Sequence, residues 1–133
     1  MKKKTLPKLK KEALDLLSQL IKLEHQRDGK MKCFTCNKVL QPNTSDCQLG
    51  HFLPRGAYPG LTFNRDNVRL QCMRCNVWLH GNVFEFRARL INELGEKRVL
   101  ELEAMRHEPV KLGRSDYLRM IQELKEEIKK ITF

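Results

Sequence analysis

Two cysteine pairs, Cys33-x-x-Cys36 and Cys72-x-x-Cys75, are the residues whose type and spacing most clearly do chemistry. A CxxC step puts two sulfurs on one tight turn, so each pair supplies half of a tetrahedron, and four thiolates close a structural zinc site. The N-terminus is lysine-rich with no apolar core of a secretory signal, so paired cysteines read as metal ligands and not as a disulfide framework. Neither pair sits in the strand-to-helix context of a redox CxxC. The fifth cysteine, Cys47, reads as a small strand residue outside the metal site.

The segment clamped between the pairs, residues 37–71, holds His51 after a short apolar run and Asn67 in a turn-like Asp66-Asn67; just beyond lie Asn76 and His80. A neutral imidazole accepts a proton from water near neutral pH, so His51 is the candidate general base. Asn67 is placed to orient the hairpin or the imidazole. Asn76 and His80 are four residues apart, so on one helix they would face the same side and could share a divalent cation, magnesium or manganese, with water and phosphate. A base for the water and a cation for the leaving oxygen are what phosphodiester hydrolysis needs. Each residue also has a plainer role: a structural His, an Asx turn at Asn67, a helix cap at Asn76 and a solvent-facing His80.

The elements that position these groups follow from periodicity and punctuation. Residues 2–11 carry six lysines. From Pro7 the pattern is helical, with Leu9, Ala13, Leu16, Leu20 and Leu23 on one stripe, Leu17 and Ile21 beside it, and Asp28-Gly29 as the stop. Cys47–Leu53 is a short strand candidate. Pro54–Gly60 must be an exposed loop, and Leu61–Phe63 and Val68–Leu70 flank the turn signal Asn64–Asn67. A helix should run from about Met73 to His80 and break at Gly81. Asn82 and Glu85 suggest a capping box for a helix carrying Phe84, Leu90, Ile91 and Leu94 up to Gly95. Glu96–His107 reads as a further short helix, with Val99, Leu100, Leu102 and Met105 as its apolar positions. Ser115-Asp116 caps a last helix with Tyr117, Ile121, Leu124, Ile128 and Ile131 on one stripe. Either leucine-rich terminal stripe could be a core face or the seam of a homodimer.

The chain has 133 residues and a formal net charge of +10. That balance favours a polyanionic partner, nucleic acid before an acidic membrane surface. Lys2, Lys3 and Lys4 in the arm, with Arg55, Arg65 and Arg74, are the candidate phosphate contacts, although a charge run is commonly just a solvated tail. No stretch reaches the apolar length of a membrane span, which points to a soluble, cytoplasmic protein.

The stretches Cys47-Gln-Leu-Gly-His-Phe, Leu61-Thr-Phe-Asn-Arg-Asp-Asn67 and Gln71-Cys-Met-Arg-Cys-Asn76, followed by Gly81-Asn82 and a helix, resemble the HNH (ββα-metal) nucleases. Within them they resemble the phage NinG/Rap recombination nucleases. With the first cysteine pair the likeness covers about residues 30–105. It implies an α+β, mostly α fold. Residues 1–29 would form a basic arm and helix, 30–95 a zinc-stapled ββα-metal core, and 96–133 C-terminal helices. It also implies a metal-dependent DNA endonuclease acting on branched recombination intermediates (Holliday junctions, D-loops) in a bacterial or phage-infected cell. Carried over by position, His51 is the general base, Asn67 the middle motif residue supporting it, Asn76 the metal ligand, and His80 a second ligand. Many relatives carry Asp or His as a ligand just before the base, where this chain has Gly50; His80, Asp46 or Gln48 would have to supply that anchor, His80 first. The competing expectation is a non-catalytic zinc-stabilised module that only binds nucleic acid, which needs the charge and the cysteines but not the His51/Asn67/Asn76/His80 set.

Overall fold

The computed structural model describes residues 3–132, and the chain divides into two compact units. One unit contains residues 3–29 and 111–132. Its helix α1, Leu6–Arg27, starts where Thr5 caps the Lys8 amide and Pro7 occupies the first turn, and it ends at Asp28. The last helix of the chain, α4, Arg114–Thr132, packs along it. Arg114 reaches the Lys4 carbonyl and Lys125 reaches Glu12, so the two helices run in the same direction. Leu9, Ala13, Leu17, Leu20 and Ile21 of α1 are buried, as are Tyr117, Ile121 and Leu124 of α4. The two stripes expected as alternative dimer seams therefore cover each other within the chain. Leu16 and Leu23 lie only at the half-buried margin.

The other unit is Lys30–Val110. Its sheet is a single antiparallel pair, β1 (Gln48–His51) with β2 (Val68–Gln71), in the register Gln48–Gln71, Gly50–Arg69, His51–Val68. Between the two strands Pro59–Leu61 forms a 3-10 turn, and the Leu61 carbonyl accepts from the buried side chain of Asn67 at 3.1 Å. After β2 comes a single π turn, Arg74–Trp78, then helices α2 (Val83–Leu94) and α3 (Glu96–Ala104). Gly95 turns the chain with φ +88, and α3 folds back on α2. Residues 96–110 thus belong to the central unit, and a boundary at residue 95 cuts through its core. That core is Phe52, Leu53, Leu61, Phe86, Leu90, Val99 and Leu102. Phe86, and not Phe84, is the buried α2 aromatic. Its ring lies 5.6 Å from Phe52 and 5.3 Å from Phe34, whereas Phe84 is 94% exposed. The fold is α+β and mostly helical, and among the described residues no helix is long and apolar enough to cross a membrane.

Candidate metal centre and active site

Each cysteine pair is shaped by local hydrogen bonds before any metal is considered. The first turn is closed by Cys33 N–H to the Lys38 carbonyl at 2.8 Å and by Asn37 in a left-handed conformation, φ +65. It is tied to the sheet by Phe34 N–H donating to the Leu70 carbonyl at 2.9 Å. The second turn leaves β2 at Cys72, whose sulfur accepts from the Cys75 amide at 3.5 Å. The sulfurs of Cys33, Cys36, Cys72 and Cys75 all lie within 4.8 Å of one another, and those of Cys36 and Cys72 are 3.7 Å apart. A tetrahedron with Zn–S bonds of ~2.3 Å has edges of about 3.8 Å, so the donor set fits a zinc ion. Outer groups support the sulfurs: Asn82 Nδ2 donates to Cys75 Sγ at 3.7 Å, and Thr35 Oγ1 lies 3.4 Å from Cys33 Sγ. Burial works against ionising Cys33, yet the Thr35 hydroxyl and backbone amides bring its thiol down to about 6. Burial and the neighbouring sulfurs push Cys36 up to about 12. Four thiols so close cannot all ionise unaided, and a divalent cation removes that obstacle. Cys47 is buried and is not part of the cluster.

His51 ends β1, where the Phe52 amide continues the pairing to the Asn67 carbonyl at 2.8 Å. Its Nε2 is 2.9 Å from the Thr62 carbonyl. A carbonyl can only accept, so Nε2 carries the proton and Nδ1 of the neutral ring keeps its lone pair. Burial, with a smaller push from Arg55, lowers the His51 pKa below the ordinary 6.5, against the stabilising pull of Thr62. The ring is therefore neutral and basic at neutral pH.

A family model described as Bacteriophage Lambda NinG protein matches residues 1–132. The chain belongs to the NinG family. Protein ninG of Escherichia phage lambda is 30% identical over 132 residues, which cover 89% of this chain and 63% of the relative. Protein ninG of Escherichia phage 933W is 31% identical over 105 residues, 73% of this chain and 51% of the relative. Protein ninG of Salmonella phage P22 is 29% identical over 133 residues, 90% of this chain and 64% of the relative. The chain thus spans between half and two thirds of the length of these relatives. No solved structure matches it. Neither the family description nor these names carry an HNH nuclease or a Rap endonuclease, so the resemblance drawn from the motifs is corrected to membership of the NinG family.

In this NinG-family chain the remaining expected site residues are not brought together as their spacing suggested. Asn67 is fully buried, and its side-chain hydrogen bonds go to Leu53 and Leu61 and not to the His51 ring. Its Oδ1 accepts from Leu53 N–H at 2.8 Å, and its Nδ2 donates to the carbonyls of Leu53 at 3.0 Å and Leu61 at 3.1 Å. It pins the loop whose next residue, Thr62, holds His51. Asn76 is half-buried and donates Nδ2 to Gln48 Oε1 at 2.8 Å. Strand alternation puts Gln48 and Gly50 on one face of β1 and His51 on the other. His80 is not on a shared helix face with Asn76. The π turn ends at Trp78, and His80 stands exposed beyond it with φ +51, because Gly81 N–H closes back onto the Cys75 carbonyl at 2.8 Å. The other two candidate anchors are engaged: Asp46 pairs with Lys38 at 2.6 Å and accepts from the Met73 amide at 2.9 Å, and Gln48 is bonded at both ends of its amide. Among the described residues the four cysteines are the only cluster of three or more His, Cys, Asp or Glu able to hold a metal.

Gly50 has its own reason. A Cβ there would lie 1.9 Å from Gln71 Oε1. Gln71 is fully buried, donates to Thr35 Oγ1 and the Gly81 carbonyl, and fills the space a side chain at position 50 would need. Sequence reasoning missed Gln71, Thr62 and Asn82. The signal for Gln71 was a polar residue at the end of an apolar strand directly before Cys72. Of the expected phosphate contacts, Lys2 lies outside the described residues. Lys3 and Lys4 belong to the paired-helix unit, where Lys4 is bound to Glu12 at 2.8 Å. Arg55, Arg65 and Arg74 are exposed on the central unit.

Proposed function

We propose that the central unit is a zinc-stapled nuclease that hydrolyses DNA phosphodiester bonds, with His51 as the general base. The observation that carries the reading is the His51–Thr62 pair. An imidazole with Nε2–H committed to a backbone carbonyl has Nδ1 available for the proton of an attacking water, and the same carbonyl stabilises the imidazolium that results. Asn67 keeps the loop bearing Thr62 fixed, so the base does not have to be ordered during the reaction. Asn76, oriented through its nitrogen by Gln48, would offer its amide oxygen to a magnesium or manganese ion together with phosphate oxygens and water, and the ion would neutralise charge at the leaving oxygen. A single amide oxygen holds such an ion poorly, so it should bind only with DNA present.

The positive charge supports DNA as substrate. We take branched recombination intermediates to be preferred over linear duplex, in the cytoplasm of a phage-infected bacterium. The second reading, a zinc module that binds nucleic acid without cutting it, is favoured by one observation: the candidates for a second metal anchor are turned away or engaged, His80 standing beyond the π turn and Asp46 and Gln48 held in other bonds. Incubating plasmid, duplex and four-way-junction DNA with the protein, with and without magnesium or manganese, separates the two. Metal-dependent products support cleavage; a shifted but uncut substrate supports the binding module.

A further inference from the structure

The stretch between the second cysteine pair and α2 exposes apolar side chains that nothing in the catalytic reading uses. Trp78 is 71% exposed and Phe84 94%, with Val77, Leu79 and Val83 partly exposed beside them in sequence. The two rings flank a tight turn in which His80, Gly81 and Asn82 all have positive φ, at +51, +92 and +50. Two of these are not glycines, so the conformation costs energy and must be held by its surroundings. It is held: Gly81 N–H bonds the Cys75 carbonyl, the Gly81 carbonyl accepts from buried Gln71, and Asn82 bonds the Cys75 sulfur. The turn is thus anchored to a metal ligand and to the sheet, while its flanking aromatics face solvent.

The charge around this surface selects its partner. The acids in and flanking this stretch are each paired, Asp46 with Lys38 at 2.6 Å, Asp66 with Arg98 at 2.7 Å and Glu85 with Arg89 at 2.8 Å, and Arg69 is paired with Glu93 at 2.7 Å. Arg74 lies exposed in the π turn that leads to Trp78. Flat π faces next to an exposed arginine suit unpaired nucleobases on a phosphate backbone, since every base offers a face to stack on and every linkage a negative charge. We propose that Trp78 and Phe84 are a stacking platform for unpaired bases of single-stranded DNA, with Arg74 on the adjoining phosphate. This rests on the nucleic-acid reading above and adds to it the form of nucleic acid that is gripped.

Trp78 is the sole tryptophan of the chain, so its emission reports the platform directly. The 133-residue, zinc-loaded chain is titrated with an oligothymidylate strand and with a blunt duplex. Intrinsic fluorescence is read beside the anisotropy of the labelled oligonucleotides. The single strand should quench the emission and the duplex should not. Trp78→Ala and Phe84→Ala should each weaken single-strand affinity by roughly 5- to 150-fold, the range for loss of one stacked base. Trp78→Phe should recover most of the loss, and zinc content and circular dichroism should be unchanged in all three. Binding by anisotropy with no quenching and no effect of either alanine overturns the platform and leaves the nucleic-acid reading standing. No binding of any DNA overturns both. Emission that depends on protein concentration alone, with self-association lost in Trp78→Ala, makes the surface a contact between copies and also overturns the platform.

Discussion

Replacing Gly50 by alanine puts a methyl carbon 1.9 Å from Gln71 Oε1, 2.7 Å from its Cδ and 3.0 Å from its Cγ. The glutamine cannot simply swing aside. It is fully buried, and its Nε2 holds Thr35 Oγ1 at 3.1 Å and the Gly81 carbonyl at 2.9 Å. Displacement strands those partners at about 1–3 kcal/mol each, so Gly50→Ala should cost about 2–6 kcal/mol. That is a large share of the ~5–15 kcal/mol that stabilises a small domain. Urea denaturation followed by circular dichroism, with zinc release measured by a chromophoric chelator, gives the value. The double variant Gly50→Ala/Gln71→Ala supplies the control. With the clash relieved it should be no less stable than Gln71→Ala alone, a coupling of about 2 kcal/mol or more between residues in contact. A Gly50→Ala protein within about 0.5 kcal/mol of wild type, the ordinary range for an innocuous substitution, would refute the reasoning, as would additive effects in the cycle.

Cys72→Ser should abolish stoichiometric zinc and unfold the central unit, since structural zinc is worth about 10–16 kcal/mol, at least the whole stability of such a unit; elemental analysis and circular dichroism check it. Asn67→Ala removes the partner of three loop groups and should destabilise by about 2–4 kcal/mol while exposing the 53–62 loop to limited proteolysis. Burial first, and Arg55 second, depress the His51 pKa, so the acid limb of any cleavage rate should have its midpoint below 6.5, and Arg55→Ala should move it upward. The same depression makes the unfolded chain the better proton binder, so the contribution of His51 to stability is present above pH 6.5 and lost as pH falls through the lower folded value. Urea midpoints against pH for wild type and His51→Gln test that sign.

The cysteine cluster was legible in the sequence because two spacings are enough to define half-tetrahedra, and the packed faces of α1 and α4 because a period near 3.6 persists over several turns. What was not legible depended on who competes for one group. Asn82 followed by Glu85 reads as a capping box, yet Asn82 adopts φ +50 and gives its side chain to the Cys75 sulfur. Starting α2 there sets its phase, which buries Phe86 and exposes Phe84, although Val-Phe-Glu-Phe offers both. Four-residue spacing placed Asn76 and His80 on one face only on the assumption of an α-helix; the π turn and the Gly81–Cys75 closure removed that assumption.

The most direct test of the account compares wild type and His51→Ala in single-turnover cleavage of a labelled four-way junction with magnesium or manganese, at protein concentrations saturating by anisotropy. The account predicts metal-dependent cutting by wild type. It predicts a rate lower by about 10²–10⁴-fold in the variant, the usual contribution of a general base, with DNA affinity nearly unchanged and zinc retained. Equal rates in the two proteins, or no cutting by wild type under any metal while DNA remains bound, would contradict it.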